Sequence, residues 1–439
     1  MPSSVPDSVI IVGAGVFGLS TALALARRYP STKVTIVDRL TPPVEDGTSV
    51  DTTRCIRADY GDPVYARLAA KSQRLIEADP ELQPYYFKQG MSFIFDGKQG
   101  PTTGFISKGI ESVKKEQGEA AVEYMNTPED VFRRIHGNDA QLVPERDLEG
   151  ERKWNKGYNN TGAAFIDAKE SVRVYYERCL TKPSLRFECG VAVDHLSLSN
   201  GRASGVVLED GRQLTADLVI VAAGAWSNKL VHLEGSMLSS AIEVAWIKLT
   251  DAEVKKWKNM SITTNLSTGF NLFPPHNGEM KCLRRSAGYR NTVELRHPEH
   301  SDKTIQVSVP RTGVTNPGDA IPAAAEASLR HDLRELMPSL AERPFDRTKL
   351  CWLAQTPSAD FIICPHPRIS GVHVATGGSA HGWKFLPIMG DIVLDSVEGK
   401  LSSELVEKWA FVKKPQNQGN APRMAGEPQE LKDVVRSRL

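Results

Sequence analysis

The stretch that most constrains this chain is residues 8–38. Residues 9–12 are a β-branched run that reads as a short buried strand, and residues 33–37 read as a second strand parallel to it. Between them stand Gly13, Gly15 and Gly18, followed by a helix over residues 19–28. Glycine permits a tight turn at the first position and a close approach to a pyrophosphate at the second. At the third it permits close packing of the helix on the sheet. Asp38 stands about 20 residues beyond the last glycine, where a carboxylate accepts hydrogen bonds from an adenosine ribose. The helix N-terminus offers free N–H groups and the positive end of its dipole to the phosphates. Three spaced glycines alone are a weak signal. Set between two strands, with an acid at that distance, they specify a dinucleotide site.

Two other readings of the same stretch fail. Residues 9–26 are nearly uncharged and about as long as a membrane span, but their glycines fall at fingerprint spacing. A secretory signal carries basic residues ahead of its apolar run, whereas here Asp7 precedes it without Lys or Arg. Neither a span nor a signal is expected. At 439 residues the chain is long enough for two domains. Its 54 Lys and Arg balance 53 Asp and Glu, which argues against a broad surface for nucleic acid. The six cysteines (Cys55, Cys179, Cys189, Cys282, Cys351, Cys364) show no C-x-x-C and no zinc spacing. They suit free thiols in a reducing compartment, and no metal is expected.

Beyond Asp38, proline and glycine make residues 41–49 a loop. Residues 51–61 follow, then a helix over 65–78. Arg54 and Arg57 would share a face of a helical turn, either as a solvated pair or as guanidinium groups presented to a carboxylate or a flavin ring. Residues 85–145 lack a glycine-rich loop and resemble a cap or substrate layer. Asp167 is a candidate N-cap. Strands are expected over residues 191–198 and 203–208, with turns at Asn200-Gly201 and Asp210-Gly211. Residues 217–227 read as a buried parallel strand ending at Gly224, as at the centre of a doubly wound sheet. Strands dominate residues 243–310. Within them Lys281 is either an edge-strand lysine facing water or a cation aimed inward at a redox centre. A helix is expected over residues 324–340. Residues 377–386 are a glycine-rich loop leading into a helix at about Pro387. Such a loop makes a second site for negative charge, like that at the N1/O2 end of a reduced flavin; His381 and Lys384 are either packing and surface residues or, as the small residues around them favour, line that site. The tail from Lys413 is polar and reads as irregular.

Together these segments resemble the sarcosine oxidase family of FAD-dependent amine oxidases, especially its eukaryotic branch of saccharopine, pipecolate and fructosyl amino-acid oxidases. Five places carry the resemblance: Gly13-x-Gly15-x-x-Gly18 with Asp38; Asp51-Thr-Thr-Arg-Cys-Ile-Arg; Ala222-Ala-Gly-Ala-Trp-Ser; Cys351-Trp-x-x-x-Thr-Pro-x-x-Asp-Phe; and Gly377-Gly-Ser-Ala-His-Gly-Trp-Lys-Phe-Leu-Pro. The resemblance implies that Cys351 is bonded to the flavin 8α-methyl and that Lys281 is where O2 is reduced. It places Arg54 near the flavin face, and Arg57 with Lys384 on a substrate carboxylate. It further implies FAD contacts at Val16, Phe17, Arg39, Val193, Gly224, Trp226, Gly378, His381 and Gly382. Two departures weaken the sugar-amine branch. The Asp-Glu pair that follows the lysine in fructosyl amino-acid oxidases is here Arg284-Arg285, and their Trp-Arg-Trp segment here reads Lys408-Trp-Ala-Phe. The two arginines suggest either a second anionic group on the substrate or an ion pair with the protein's own acids.

The expected fold is therefore α/β of the p-hydroxybenzoate-hydroxylase-like type. A discontinuous Rossmann-type FAD domain (residues 1–85, 146–225 and 345–412) would carry a mostly antiparallel substrate domain (86–145 and 226–344) and a tail (413–439). The expected reaction oxidises a C–N bond of an N-substituted or cyclic amino acid to an imine, with O2 going to H2O2. The alternatives are a fructosyl amino-acid oxidase, an oxidase of secondary metabolism whose imine closes a ring, and a non-catalytic flavin or NAD sensor. The expected partners are a small amine and O2, with no nucleic acid or membrane, acting on a monomer. The last residues, Ser437-Arg438-Leu439, resemble a peroxisomal S-K-L address, the alternative being the cytoplasm.

Overall fold

The fingerprint strand, Ser8–Val12, lies inside a six-stranded sheet. The strands run in the order Ile362–Pro365, Val372–Thr376, Leu218–Val221, Ser8–Val12, Lys33–Asp38, Leu185–Cys189. All neighbours are parallel except Ile362–Pro365, which is antiparallel to Val372–Thr376. Parallel strands are covered on both faces, which is why these segments are continuous apolar runs and why Val9, Ile10, Ile11, Val219, Ile220 and Val374 are all buried. This computed structural model describes residues 5–98, 101–138, 141–148, 150–233, 235–300, 302–411 and 426–434.

Two helices distant in sequence close one face of the sheet. Val16–Arg28 follows the glycine turn, and Leu386–Val397 starts where Pro387 fits a first helical turn. They pack closely because Gly390 has no side chain. A Cβ there would lie 2.0 Å from the Ser20 carbonyl oxygen. The Ser20 hydroxyl donates to the Leu386 carbonyl at 2.6 Å and accepts from the Gly390 N–H at 2.7 Å. Asp167 caps Ala168–Leu180, accepting from the Glu170 N–H, as its position predicts. The hairpin of Val193–Ser199 and Arg202–Leu208 turns at Asn200 and Gly201, both at positive φ.

The second sheet has ten strands, most of them antiparallel. Its longest strand, Leu238–Lys248, pairs antiparallel with Glu279–Arg284 and with Arg347–Gln355. Register fixes which side chains share a face. Cys351 is opposite Ile242, Leu283 opposite Val244 and Lys281 opposite Trp246. Alternate residues of a strand point the same way, so Cys351, Lys281, Leu283 and Arg285 belong to one face.

Several elements differ from the sequence-based expectations. Arg54–Ile56 is a short strand paired with Ala164–Ile166, so Arg54 and Arg57 do not share a helical face. The run expected over residues 324–340 is two helices, Ala323–Leu336 and Pro338–Ala341, because proline cannot donate the hydrogen bond that would continue the first. Strands Lys156–Asn160 and Arg347–Gln355, in segments expected to be dinucleotide-binding, pair into the ten-stranded sheet. The tail is not irregular throughout. Gln429–Glu430 pairs with Tyr289–Arg290, and Leu431 is buried, an apolar anchor that the tail's polar composition conceals. Ser437-Arg438-Leu439 lies outside the described residues.

Candidate active site

The glycines of the fingerprint are each required by a close approach. Gly13 adopts a φ of +110°, and a Cβ there would sit 2.4 Å from the Ala222 carbonyl oxygen. A Cβ on Gly18 would lie 1.8 Å from the Gly13 carbonyl, and one on Gly15 would lie 2.7 Å from the Ser49 hydroxyl. The helix that starts at Val16 has its first turn on the lining of a cavity, with the Val16 N–H donating to Ser49 Oγ at 3.0 Å. Asp38, at the end of the second strand, accepts from the Ala14 N–H at 2.7 Å and the Leu40 N–H at 3.3 Å. Burial pushes its pKa up against these donors. Arg39 lies 4.3 Å over the Trp226 ring and pairs with Asp46, which also accepts from the Thr312 hydroxyl at 2.6 Å.

Gly13, Gly15, Asp38, Arg39, Val193, Gly224 and Trp226 all line one cavity of about 740 Å³. Gly15, Thr48, Ser49, Ala222, Gly224 and Ala225 line both that space and an inner cavity of about 150 Å³. The two cavities therefore adjoin, the outer one lined by Asp38 and the inner one by Lys384. Val16, Phe17, Arg54, Arg57, Cys351, Gly378, His381, Gly382 and Lys384 line the inner one. Gly378 and Gly382 let the loop rest on Phe17, whose ring would be 3.6 and 3.2 Å from a Cβ at those positions. Ser379 and Ala380 hold positive φ with no glycine, a costly conformation that the loop maintains through Ser379 N–H to the Ala354 carbonyl at 2.9 Å.

Behind this loop runs a directed chain of hydrogen bonds. His381 Nε2 lies 2.7 Å from the Ala359 carbonyl, which can only accept, so Nε2 carries a proton. In a neutral ring, Nδ1 then accepts from the Tyr60 hydroxyl at 3.0 Å. That hydroxyl in turn accepts from Lys384 Nζ at 2.9 Å, and Nζ also donates to the His381 carbonyl at 3.1 Å. Arg57 is buried. It donates to the Asp59 carbonyl and lies 5.1 Å from the Tyr60 ring centre. The Asp59 carboxyl accepts from Tyr158 at 2.9 Å and Asn160 at 2.8 Å, and burial raises its pKa.

Lys281 is neither on an edge strand nor in the cavity lining. Its strand lies between two others, and its ammonium donates to the Thr53 carbonyl at 2.7 Å and pairs with Asp51 at 3.1 Å. It sits 4.0 Å over the ring of Phe273, which does line the cavity. Burial pushes the ammonium down to about 8, against the pull of Asp51. Burial also acts to raise the Asp51 carboxyl, but Arg54, Lys281 and Lys349 hold it well below the ordinary range. Asp51 thus bridges Lys281 and Arg54. Arg54 donates to it and to the Thr48 carbonyl at 2.8 Å, and its Nη2 lies 3.7 Å from Cys351 Sγ. Lys408 pairs with Asp62 and Asp360, away from the lining.

Sequence reasoning assigned no role to Tyr60, Asp51 or Asp59. Asp51 stands in a quoted motif beside Arg54, the only signal available for it. The partner of Tyr60 is 321 positions away and no spacing reveals it. Among the described residues no cluster could hold a metal ion, and no helix is long and apolar enough to cross a membrane.

The donor set fits FAD. A glycine cradle and a helix N-terminus on the cavity lining suit a pyrophosphate, a carboxylate suits a ribose, and the inner cavity combines an apolar wall with cations and a buried thiol. Residues 8–396 match the profile of the family described as DAO, FAD dependent oxidoreductase. L-saccharopine oxidase of Schizosaccharomyces pombe is 28% identical over 92% of this chain and 93% of its own. Monomeric sarcosine oxidase of Bacillus sp. strain NS-129 is 24% identical over 87% and 90%. A crystal structure of a thermally stable fructosyl peptide oxidase mutant superposes with a TM-score of 0.87, covering 99% of each chain at 24% identity.

Proposed function

The chain belongs to the FAD dependent oxidoreductase family, and on that premise we propose that it is an oxidase of amino-acid-derived secondary amines. The observation that carries the proposal is the pair of adjoining cavities, the outer lined by the glycine fingerprint and Asp38 and the inner by Cys351, Arg57 and Lys384. Gly13, Gly15, Gly18, Asp38 and Arg39 would hold the ADP half of FAD, and the loop from Gly378 to Lys384 would hold the ring. FAD held there would supply the acceptor for a hydride equivalent from the carbon next to an amine nitrogen, and O2 would take the two electrons to give H2O2.

The chain's own groups supply binding and electrostatics. Arg57 and Lys384 form charge-assisted hydrogen bonds to the substrate carboxylate and so fix the amine's position. The chain through Tyr60 to His381 fixes Lys384 Nζ. A protonated amine does not give up hydride, so the site acts on the neutral amine and turnover rises with pH as the amine deprotonates. Arg54 on the cavity lining and Lys281 behind Phe273, bridged by Asp51, place positive charge at this wall, where charge developing on oxygen is stabilised. Cys351 Sγ, on the cavity wall, would be the residue that holds the cofactor covalently. The imine product is released to water, which adds across its C=N bond and splits it into a carbonyl compound and an amine.

A peroxide-coupled screen tests the proposal with saccharopine, pipecolate, N-methyl amino acids and fructosyl amino acids. H2O2 formed in step with amine loss is the expected result. A yellow protein that makes no peroxide with any secondary amine contradicts it.

A further inference from the structure

Arg284 and Arg285 are adjacent on extended backbone and therefore leave opposite faces of the sheet. Arg284 turns to the protein. Its Nε donates to the Thr268 carbonyl at 2.9 Å, and its charge reaches Glu243 and Asp332. Arg285 turns to the inner cavity and lines it. Among the described residues its guanidinium makes no hydrogen bond or ion pair, and no Asp or Glu lines that cavity. Burial pushes its pKa down to about 10, with the nearby charge of Arg57 acting in the same direction. The other cations of the lining are compensated differently. Arg54 has Asp51, Lys384 has Tyr60 and the His381 carbonyl, and Arg57 has the Asp59 carbonyl with the Asp59 carboxyl nearby.

Arg285 is half-buried, and a guanidinium that lines a cavity with no protein acceptor leaves its planar fork of donors for a ligand, which a planar oxyanion fills by accepting two parallel N–H bonds. We propose that Arg285 receives a second carboxylate, carried on the substituent of the amine nitrogen, so that the preferred substrates are secondary amines with two carboxylates. The inference rests on the amine-oxidase function, with Arg57 and Lys384 on the first carboxylate. It also divides the pair of arginines: Arg284 faces the protein's own acids, and Arg285 faces the ligand.

The test compares N-(carboxyalkyl)glycines with N-alkylglycines of the same chain length on the purified holoenzyme. The wild type should favour the diacid in kcat/KM by about tenfold or more, the scale of one charge-assisted hydrogen bond. Arg285→Leu should abolish that ratio, Arg285→Lys should keep part of it, and Arg285→Glu should turn the preference towards a substituent ending in an ammonium. Flavin content and circular dichroism establish that each variant is folded. Equal turnover of the two amines by the wild type, or an unchanged ratio in Arg285→Leu, overturns the proposal. Titrating the flavin absorbance with glutarate and with butyrate separates the two inferences. Tighter glutarate binding that depends on Arg285, without turnover of any amine, faults the oxidase function and leaves the anion site standing. No such binding overturns the anion site.

Discussion

A buried ammonium beside a carboxylate holds its charge only over a limited pH range, and under the proposed function Lys281 would set that range for oxygen reduction. Its value of about 8 means that it is charged below that pH and neutral above it. Reoxidation of the reduced enzyme by O2 should therefore slow as pH rises through about 8. Lys281→Met should lose this dependence and reoxidise about 10²–10³-fold more slowly, the scale of losing one electrostatic stabiliser. Stopped-flow traces that show anaerobic reduction slowed equally would contradict the role. Cys351→Ala should leave the flavin extractable by acid, whereas flavin retained by the denatured variant places the bond elsewhere. Replacing Arg57 or Lys384 should weaken carboxylate inhibitors by about 1.5–3 kcal/mol, read from titrations of the flavin spectrum. At this scale the sequence was only partly legible. Lys281 could not be told from a water-facing edge lysine until register placed its strand between two others. The roles of Tyr60 and Asp59 depend on contacts that no local pattern encodes.

Among the elements, the packing of Val16–Arg28 on Leu386–Val397 carries the cofactor cradle, since the first helix presents its N-terminus and the second follows the loop over the inner cavity. Gly390→Ala should push them apart and cost about 1–3 kcal/mol or more, the range for overpacking. Urea unfolding measures this, and unchanged stability would mean that the contact with the Ser20 carbonyl relaxes without cost. The strands and helices of the dinucleotide-binding unit were legible because apolar runs, glycines and caps mark them strongly. Arg54–Ile56 was not, because a three-residue strand has no periodicity to read. The helix break at Met337 was legible in principle from Pro338.

Across the whole molecule, strands from residues 8 to 376 build the six-stranded sheet, so the two adjoining cavities cannot form from any one segment. The strand bearing Cys351 leaves the ten-stranded sheet and is followed by Ile362–Pro365 and Val372–Thr376 in the other. This linkage puts the thiol at the junction of the two sheets, and five separated motifs converge there. The motifs themselves were legible. Their meeting, and the division of Arg284 from Arg285, required the sheet register. The measurement that bears most directly on the oxidase function is anaerobic addition of an N-substituted amino acid to the purified protein, followed by admission of O2. Bleaching of the flavin band, then its return with one H2O2 per flavin, is the predicted result. A flavin band that no secondary amine bleaches would contradict it.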